Sequence, residues 1–111
     1  MTFHLSETLI LYDNALTGII PNDIGDLAAL RTFDIGENGI TGTIPASIGT
    51  MTSLNILSLF RNDLDGSIPD SFIDLQQLKI FDTQGNNLTG SIPMSVNNLP
   101  SLGKENVFSF I

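Results

Sequence analysis

Apolar side chains alternate with more polar neighbours in four short stretches, at Leu9 and Leu11, Phe33 and Ile35, Leu57 and Leu59, and Phe81 ahead of Thr83. That two-residue period belongs to a short strand with one face turned inward. The stretches recur every 24 residues, and so do the positions around them. Asn14, Asn38, Asn62 and Asn86 follow the strands, and Leu16, Ile40, Leu64 and Leu88 stand two residues further on. Gly18, Gly42, Gly66 and Gly90 come next, each leading to an Ile-Pro pair at Ile20-Pro21, Ile44-Pro45, Ile68-Pro69 or Ile92-Pro93. A period of about 20 to 50 residues marks a solenoid, in which each copy is one coil and stacked neighbours bury a common core.

The pattern predicts one array over residues 1–111, with coils at about 6–29, 30–53, 54–77 and 78–101 and an irregular strand at 102–111. The array reads as a piece of a longer one. Strands stacked at about 4.8 Å would form a parallel sheet on one face. Thr8, Ile10, Tyr12, Thr32, Asp34, Gly36, Ile56, Ser58, Phe60, Ile80, Asp82 and Gln84 would then point outward from it. The asparagines close each strand, and their amides suit backbone groups of adjacent coils, so the ladder Asn14, Asn38, Asn62, Asn86 reads as structural. The glycines permit a tight bend or a close approach. Asp23, Ser47, Ser71 and Ser95, two residues after each proline, are expected to cap short helical turns that carry Ile24, Ile48, Phe72 and Val96 inward.

The ends fit less well. Phe3 shares the column of Leu27, Met51, Leu75 and Leu99, so the first residues read as the end of a preceding coil, but Ser6 stands where the later coils have leucine. Beyond Leu102 the register fails at Glu105, although Phe108 and Phe110 still alternate with their neighbours. Uncovered ends would expose a cross-section of leucines, which predicts end-to-end self-association.

Composition narrows the function. With 41% hydrophobic residues the 111-residue chain is globular, with room for one domain or one piece of an array. No apolar run reaches the roughly 18 residues that cross a bilayer, so no direct membrane insertion is expected. Met1 to Leu11 does not read as a secretory leader. Twelve acidic against four basic residues give a net charge of −8, which argues against nucleic acid and anionic lipid. It favours a basic partner, or simply keeps a repetitive surface soluble. Without cysteine there are neither disulfides nor thiolate metal sites.

Catalytic chemistry finds little support, and no cofactor is expected. His4 stands alone near the terminus, and the glycines recur with the coil rather than forming a phosphate loop. Asp34 and Asp82 share a column two coils, about 10 Å, apart. A glycosidase pair could use that distance, but no apolar cleft sets the two carboxyls apart, so they read as solvated acids. Tyr12 and Phe60 share a column with Gly36 and Gln84, and Ile10, Ile56 and Ile80 add apolar area beside them. Edged by Asp34, Glu37, Arg61 and Asp82, this face has the makings of a peptide-binding surface, or else the side chains merely cover the strands. Asn87-Leu88-Thr89 is an N-glycosylation acceptor sequence that also arises from the repeat itself. Thr17, Thr41 and Thr89 form a threonine row that Asp65 interrupts.

The unit L-x-x-L-x-L-x-x-N-x-L-x-G-x-I-P, which covers roughly Phe3 to Leu102, resembles the plant-type leucine-rich repeat. The resemblance implies an α/β solenoid, a right-handed superhelix of about four coils, with its parallel sheet concave and short 3-10 or helical turns on the convex face. It further implies an ectodomain of a receptor-like kinase or receptor-like protein, or an inhibitor of pectin-degrading enzymes. Such a protein is extracellular or anchored at the plasma membrane. Its role would be non-catalytic: binding a protein or peptide through the concave and lateral surface, with Tyr12, Asp34, Phe60, Arg61, Asp82 and Gln84 as the matching positions. The cysteine caps usual in secreted arrays of this type are missing. A second class of function, a surface protein that orders ice or wall polysaccharide on its regular face, has Asp65 against it.

Overall fold

Each coil offers an apolar pair to the interior, and the next coil offers the same pair one layer on, so strands that would be too short alone pair side by side. The computed structural model describes residues 7–103. Along them run β1 (Thr8–Ile10), β2 (Thr17–Ile19), the 3-10 turn Asn22–Asp26, β3 (Thr32–Asp34), β4 (Gly39–Thr43), the 3-10 turn Ala46–Thr50, β5 (Ile56–Ser58), β6 (Asp63–Asp65), the 3-10 turn Asp70–Asp74, β7 (Ile80–Asp82) and the helical turn Met94–Asn97. Strands β1, β3, β5 and β7 form one parallel sheet in that order, and β2, β4 and β6 form a second. In the first sheet Thr8, Thr32, Ile56 and Ile80 stand side by side, the 24-residue column of the sequence. The second sheet slips by two residues, pairing Thr17 with Gly39 and Thr41 with Asp63. The architecture is an α/β solenoid with its larger sheet on the concave side and the short turns on the convex side.

The core is the set of aligned aliphatic columns. Leu54, Leu57, Leu59, Leu64, Leu75 and Leu78 are fully buried with Phe72 and Phe81, whose rings pack 5.4 Å apart. Each such side chain contributes about 1.5–3 kcal/mol by leaving water. Packing loosens toward the first coil: Leu27 is 38% exposed where Met51 and Leu75 of the same column are fully buried. There Leu9, Leu11 and Leu16 line an apolar recess of about 230 Å³.

The asparagine amides join the coils. Asn62 Nδ2 donates to Ile35 O of the preceding coil at 2.9 Å and to Leu59 O at 3.2 Å, while its Oδ1 accepts from Ile40 N–H at 3.0 Å. Asn38 and Asn86 repeat the arrangement, Asn38 reaching Leu11 O and Asn86 reaching Leu59 O. Asn14 is exposed, and its Nδ2 donates to Tyr12 O at 3.2 Å, within its own coil.

The expected capping by Asp23, Ser47 and Ser71 is not what the structure uses, and the Ser95 side chain lies outside what is described. Pro21, Pro45, Pro69 and Pro93 hold the cap position, the first three in extended conformation, and no side chain caps the three 3-10 turns. Proline suits the place because its fixed φ lies outside the turn while its carbonyl accepts the first bond, from Ile24, Ile48, Phe72 and Val96 N–H. The Ser71 hydroxyl donates instead to Ala46 O of the preceding coil at 2.7 Å. Close packing of the convex turns also needs Gly49, where a Cβ would fall 2.6 Å from Ser71 O and Oγ. The bend glycines Gly18, Gly42, Gly66 and Gly90 all have positive φ, between +77° and +89°.

Phe3, His4, Ser6, Glu105, Phe108 and Phe110 lie outside the described residues, as does the expected final strand from residue 104 on. The step from coil to coil continues to the last described residue. Gly103 N–H donates to Lys79 O at 3.0 Å, the same step that Lys79 makes to Asn55 O and Asn55 to Arg31 O.

Candidate functional site

The pleat of the larger sheet turns three columns to the concave surface: Thr8, Thr32, Ile56, Ile80; Ile10, Asp34, Ser58, Asp82; and Tyr12, Gly36, Phe60, Gln84. Ile10 on β1 is 58% exposed and Ile80 on β7 is 50% exposed, with Ile56 half-buried beside Ile80, so both edges of this face present aliphatic area to water. In the third column Gly36 leaves a gap between two aromatic residues, and Phe60 fills it. A Cβ at Gly36 would lie only 2.3 Å from Phe60 Cε1. The Phe60 ring leans across the gap and stacks on Tyr12, with centroids 5.8 Å apart and planes at 28°. The pair forms one aromatic plate spanning three coils, worth about 0.5–1.5 kcal/mol beyond the area it covers.

Not every residue expected to point outward is exposed. Gly36 is buried beneath Phe60, and Ser58 is only 9% exposed between the longer Asp34 and Asp82. The two acids are held by their own backbone. Asp34 Oδ1 accepts from Gly36 N–H at 2.9 Å and Asp82 Oδ1 from Gln84 N–H at 3.1 Å. Both carboxylates are therefore fixed and half-buried, with the Ser58 strand between them. They face no shared cleft, and among the described residues no group of His, Cys, Asp or Glu could hold a metal ion.

Arg61 stands beside the plate rather than within it. Its Nη1 reaches Glu37 Oε1 at 3.0 Å along the lateral edge, which ties together two side chains exposed to 70% and 29%. Asp13, Glu37, Arg61 and Gly85 form one column, and all four have positive φ, from 52° to 72°. Sequence reasoning missed this column because only Gly85 carries the residue type that advertises a left-handed backbone. Gln84 completes the concave row in the fourth coil, exposed. The six residues the sequence singled out thus divide into an aromatic plate, two backbone-anchored acids, an edge ion pair and an exposed amide.

A second regular surface lies on the smaller sheet. Thr17, Thr41 and Asp65 are exposed there, Thr89 continues the row beyond the sheet, and Ile19 beside them is 67% exposed. Thr41 and Thr89 hydroxyls donate to Gly18 O and Gly66 O of the preceding coils, both at 3.3 Å. Asn87 is exposed next to this row, with its N–H on Leu64 O at 2.8 Å.

No curated protein sequence matches the chain. Solved structures do. The plant peptide hormone receptor RGFR1 in complex with RGF2 is 36% identical over 94% of this chain and 16% of that one, with a TM-score of 0.87. The Arabidopsis receptor kinase HAESA LRR ectodomain, in complex with an IDA peptide hormone ligand, is 31% identical over 95% of this chain and 17% of that one, with a TM-score of 0.83. A plant ice-binding protein is 29% identical over 90% of this chain and 32% of that one, with a TM-score of 0.80. The chain thus spans about a sixth of the two receptor structures. The Leucine Rich Repeat family model matches at residues 7–27, 29–51, 53–75 and 77–99. With that repeat in four copies and plant receptor ectodomains among its structural relatives, the chain belongs to the leucine-rich repeat family and is of the plant type.

Proposed function

We propose that this array is a non-catalytic module that binds a protein or peptide segment on its concave face, as part of a receptor-like or secreted leucine-rich repeat protein. The observation that carries the reading is the Tyr12–Phe60 plate, bridged over Gly36 and left partly open to water at Tyr12, on the same sheet face as exposed Ile10. Apolar and aromatic area of this kind, framed by fixed polar groups, is how interface centres are built. Two of the structural relatives hold peptide hormones, which supports the same class of partner here. Extracellular placement of the parent protein is part of the proposal, and the exposed acceptor Asn87 is then a glycosylation site.

The test is to select a phage-displayed random heptapeptide library on the chain and measure the enriched peptides against Tyr12→Ala and Phe60→Ala variants. Affinity should fall about tenfold or more in each, beside a melting-temperature loss of roughly 2–12 °C from the broken ring contact. Enriched peptides that bind both variants as well as the parent would sink the reading. Self-association is a further part of the proposal. Sedimentation over a range of concentrations reads that directly.

One observation favours a second reading. Exposed threonines stand in this row in three of the four coils, with Asp65 in the third, and a plant ice-binding protein is among the structural relatives. Thermal hysteresis of the purified chain, lost on Thr41→Leu, would establish that role. Its absence leaves the concave reading alone.

A further inference from the structure

The concave face carries more information than apolarity. Asp34 and Asp82 stand in one column with Ser58 between them, and each spends Oδ1 on a backbone N–H two residues ahead. That bond fixes the carboxylate and leaves its other oxygen for a ligand. Two strand spacings place the acids about 10 Å apart along the stack. The Tyr12–Phe60 plate lies in the adjacent column and bridges two strand spacings as well. Arg61, the basic group at this edge, is paired with Glu37, so the free charge on the face is negative.

Resting on the reading of this face as a peptide-binding surface, we propose that its ligand is a polyproline II segment with basic side chains at positions i and i+3, running along the stack and across the strands. The match is geometric. Polyproline II has three residues per turn and rises about 3.1 Å per residue, so side chains on one edge recur every 9.3 Å or so. A fully extended strand repeats its side chains at about 6.8 Å and then 13.6 Å, and neither fits the spacing of the two acids. With one cation on Asp34 and the other on Asp82, the residues between them pass over Ser58 and beside Phe60, the third-coil member of the plate. Proline rings dock on aromatic surfaces, and a cation above a ring face is attracted by its quadrupole. The preformed helix also loses little entropy on binding.

The experiment titrates the isotope-labelled chain with Ac-Arg-Pro-Pro-Arg-NH2 and follows amide resonances by NMR. Gly36 and Gln84 N–H, which donate to the two carboxylates, should shift together and saturate. Ac-Arg-Pro-Arg-NH2 and Ac-Gln-Pro-Pro-Gln-NH2 should bind several-fold more weakly. Asp34→Asn and Asp82→Asn each keep the Oδ1 acceptor, so both should retain the parent melting temperature. Each should weaken the first peptide about threefold to fivefold, and added salt should weaken it further. The proposal is overturned if the shorter spacing binds equally well, if either Asn variant binds like the parent, or if the first peptide does not bind. Should library-selected peptides still depend on Tyr12 and Phe60 in that case, the binding-surface reading stands and only this ligand assignment falls.

Discussion

The same substitution made at two rungs of the asparagine ladder separates a structural role from a merely repeated letter. Asn62 is 5% exposed, with its amide donating to Ile35, Leu59 and Phe60 carbonyls and its Oδ1 accepting from Ile40 N–H. In Asn62→Leu the carbonyls keep other donors: Ile35 O also accepts from Asn38, Leu59 O from Asn86 and Phe60 O from Glu37 N–H. The Ile40 N–H loses its acceptor inside the core, which costs about 1–3 kcal/mol. Three further hydrogen bonds disappear at about 0.5–1 kcal/mol each, so the total is about 2.5–6 kcal/mol. In Asn14→Leu one exposed bond to Tyr12 O is lost, and the cost is about 1 kcal/mol or less. At roughly 4–8 °C per kcal/mol for a domain near this size, Asn62→Leu should melt more than 10 °C below the parent and Asn14→Leu within several degrees of it. Circular dichroism melts of both variants decide the matter. Equal losses, or an unchanged melting point for Asn62→Leu, would refute the assignment of the ladder as the joint between coils.

Three other substitutions test separate parts of the structure. Thr83 is fully buried with an unpaired hydroxyl in a column otherwise made of Leu11, Ile35 and Leu59, so Thr83→Val should raise stability by about 1 kcal/mol in urea unfolding. A lower midpoint would mean that the hydroxyl has a role. Gly36→Ala should push Phe60 off Tyr12, and the one tyrosine in a chain without tryptophan makes intrinsic fluorescence a direct readout. An unchanged Tyr12 spectrum would deny the plate. Gly49→Ala should cost about 1–3 kcal/mol by forcing the convex turns apart, and a variant as stable as the parent would show that those turns yield.

Legibility in the sequence followed the physics of each column. The inward columns read clearly because burial admits few residue types: Leu9, Phe33, Leu57 and Phe81 differ in shape but share one environment. The asparagine, glycine and proline columns read as well, since each performs a backbone task that few residues can perform. The caps were misread because a serine two residues after a proline looks like a capping residue, whereas the proline carbonyl already accepts the first bond of the turn. The left-handed column escaped notice for the opposite reason. Asp13, Glu37 and Arg61 are chemically unlike each other and none is glycine, yet the closure of every coil imposes the same backbone on them. Each sits there at a cost of about 1–2 kcal/mol that the neighbouring hydrogen bonds overcome.

The concave surface was legible by position but not by interaction, because the stacking of coils brings together residues that the repeat treats as unrelated. Within one column Tyr12, Gly36, Phe60 and Gln84 look like free variation at an unconstrained site. Folded, the small residue in the second coil lets the aromatic side chain of the third reach that of the first, so the plate depends on the order in which the residues occur. The same holds for Asp34, Ser58 and Asp82, where a short middle residue keeps two carboxylates apart and accessible. A purely structural explanation would have these side chains cover the strands, and for Gly36 and Ser58 such cover exists. Tyr12 remains 45% exposed, Ile10 58% and Ile80 50% in the first and last coils of that sheet. Covering a sheet is complete when its apolar groups are out of water. Here they remain in it, beside two carboxylates fixed by the backbone, and that combination is what a ligand of matching spacing would remove from solvent.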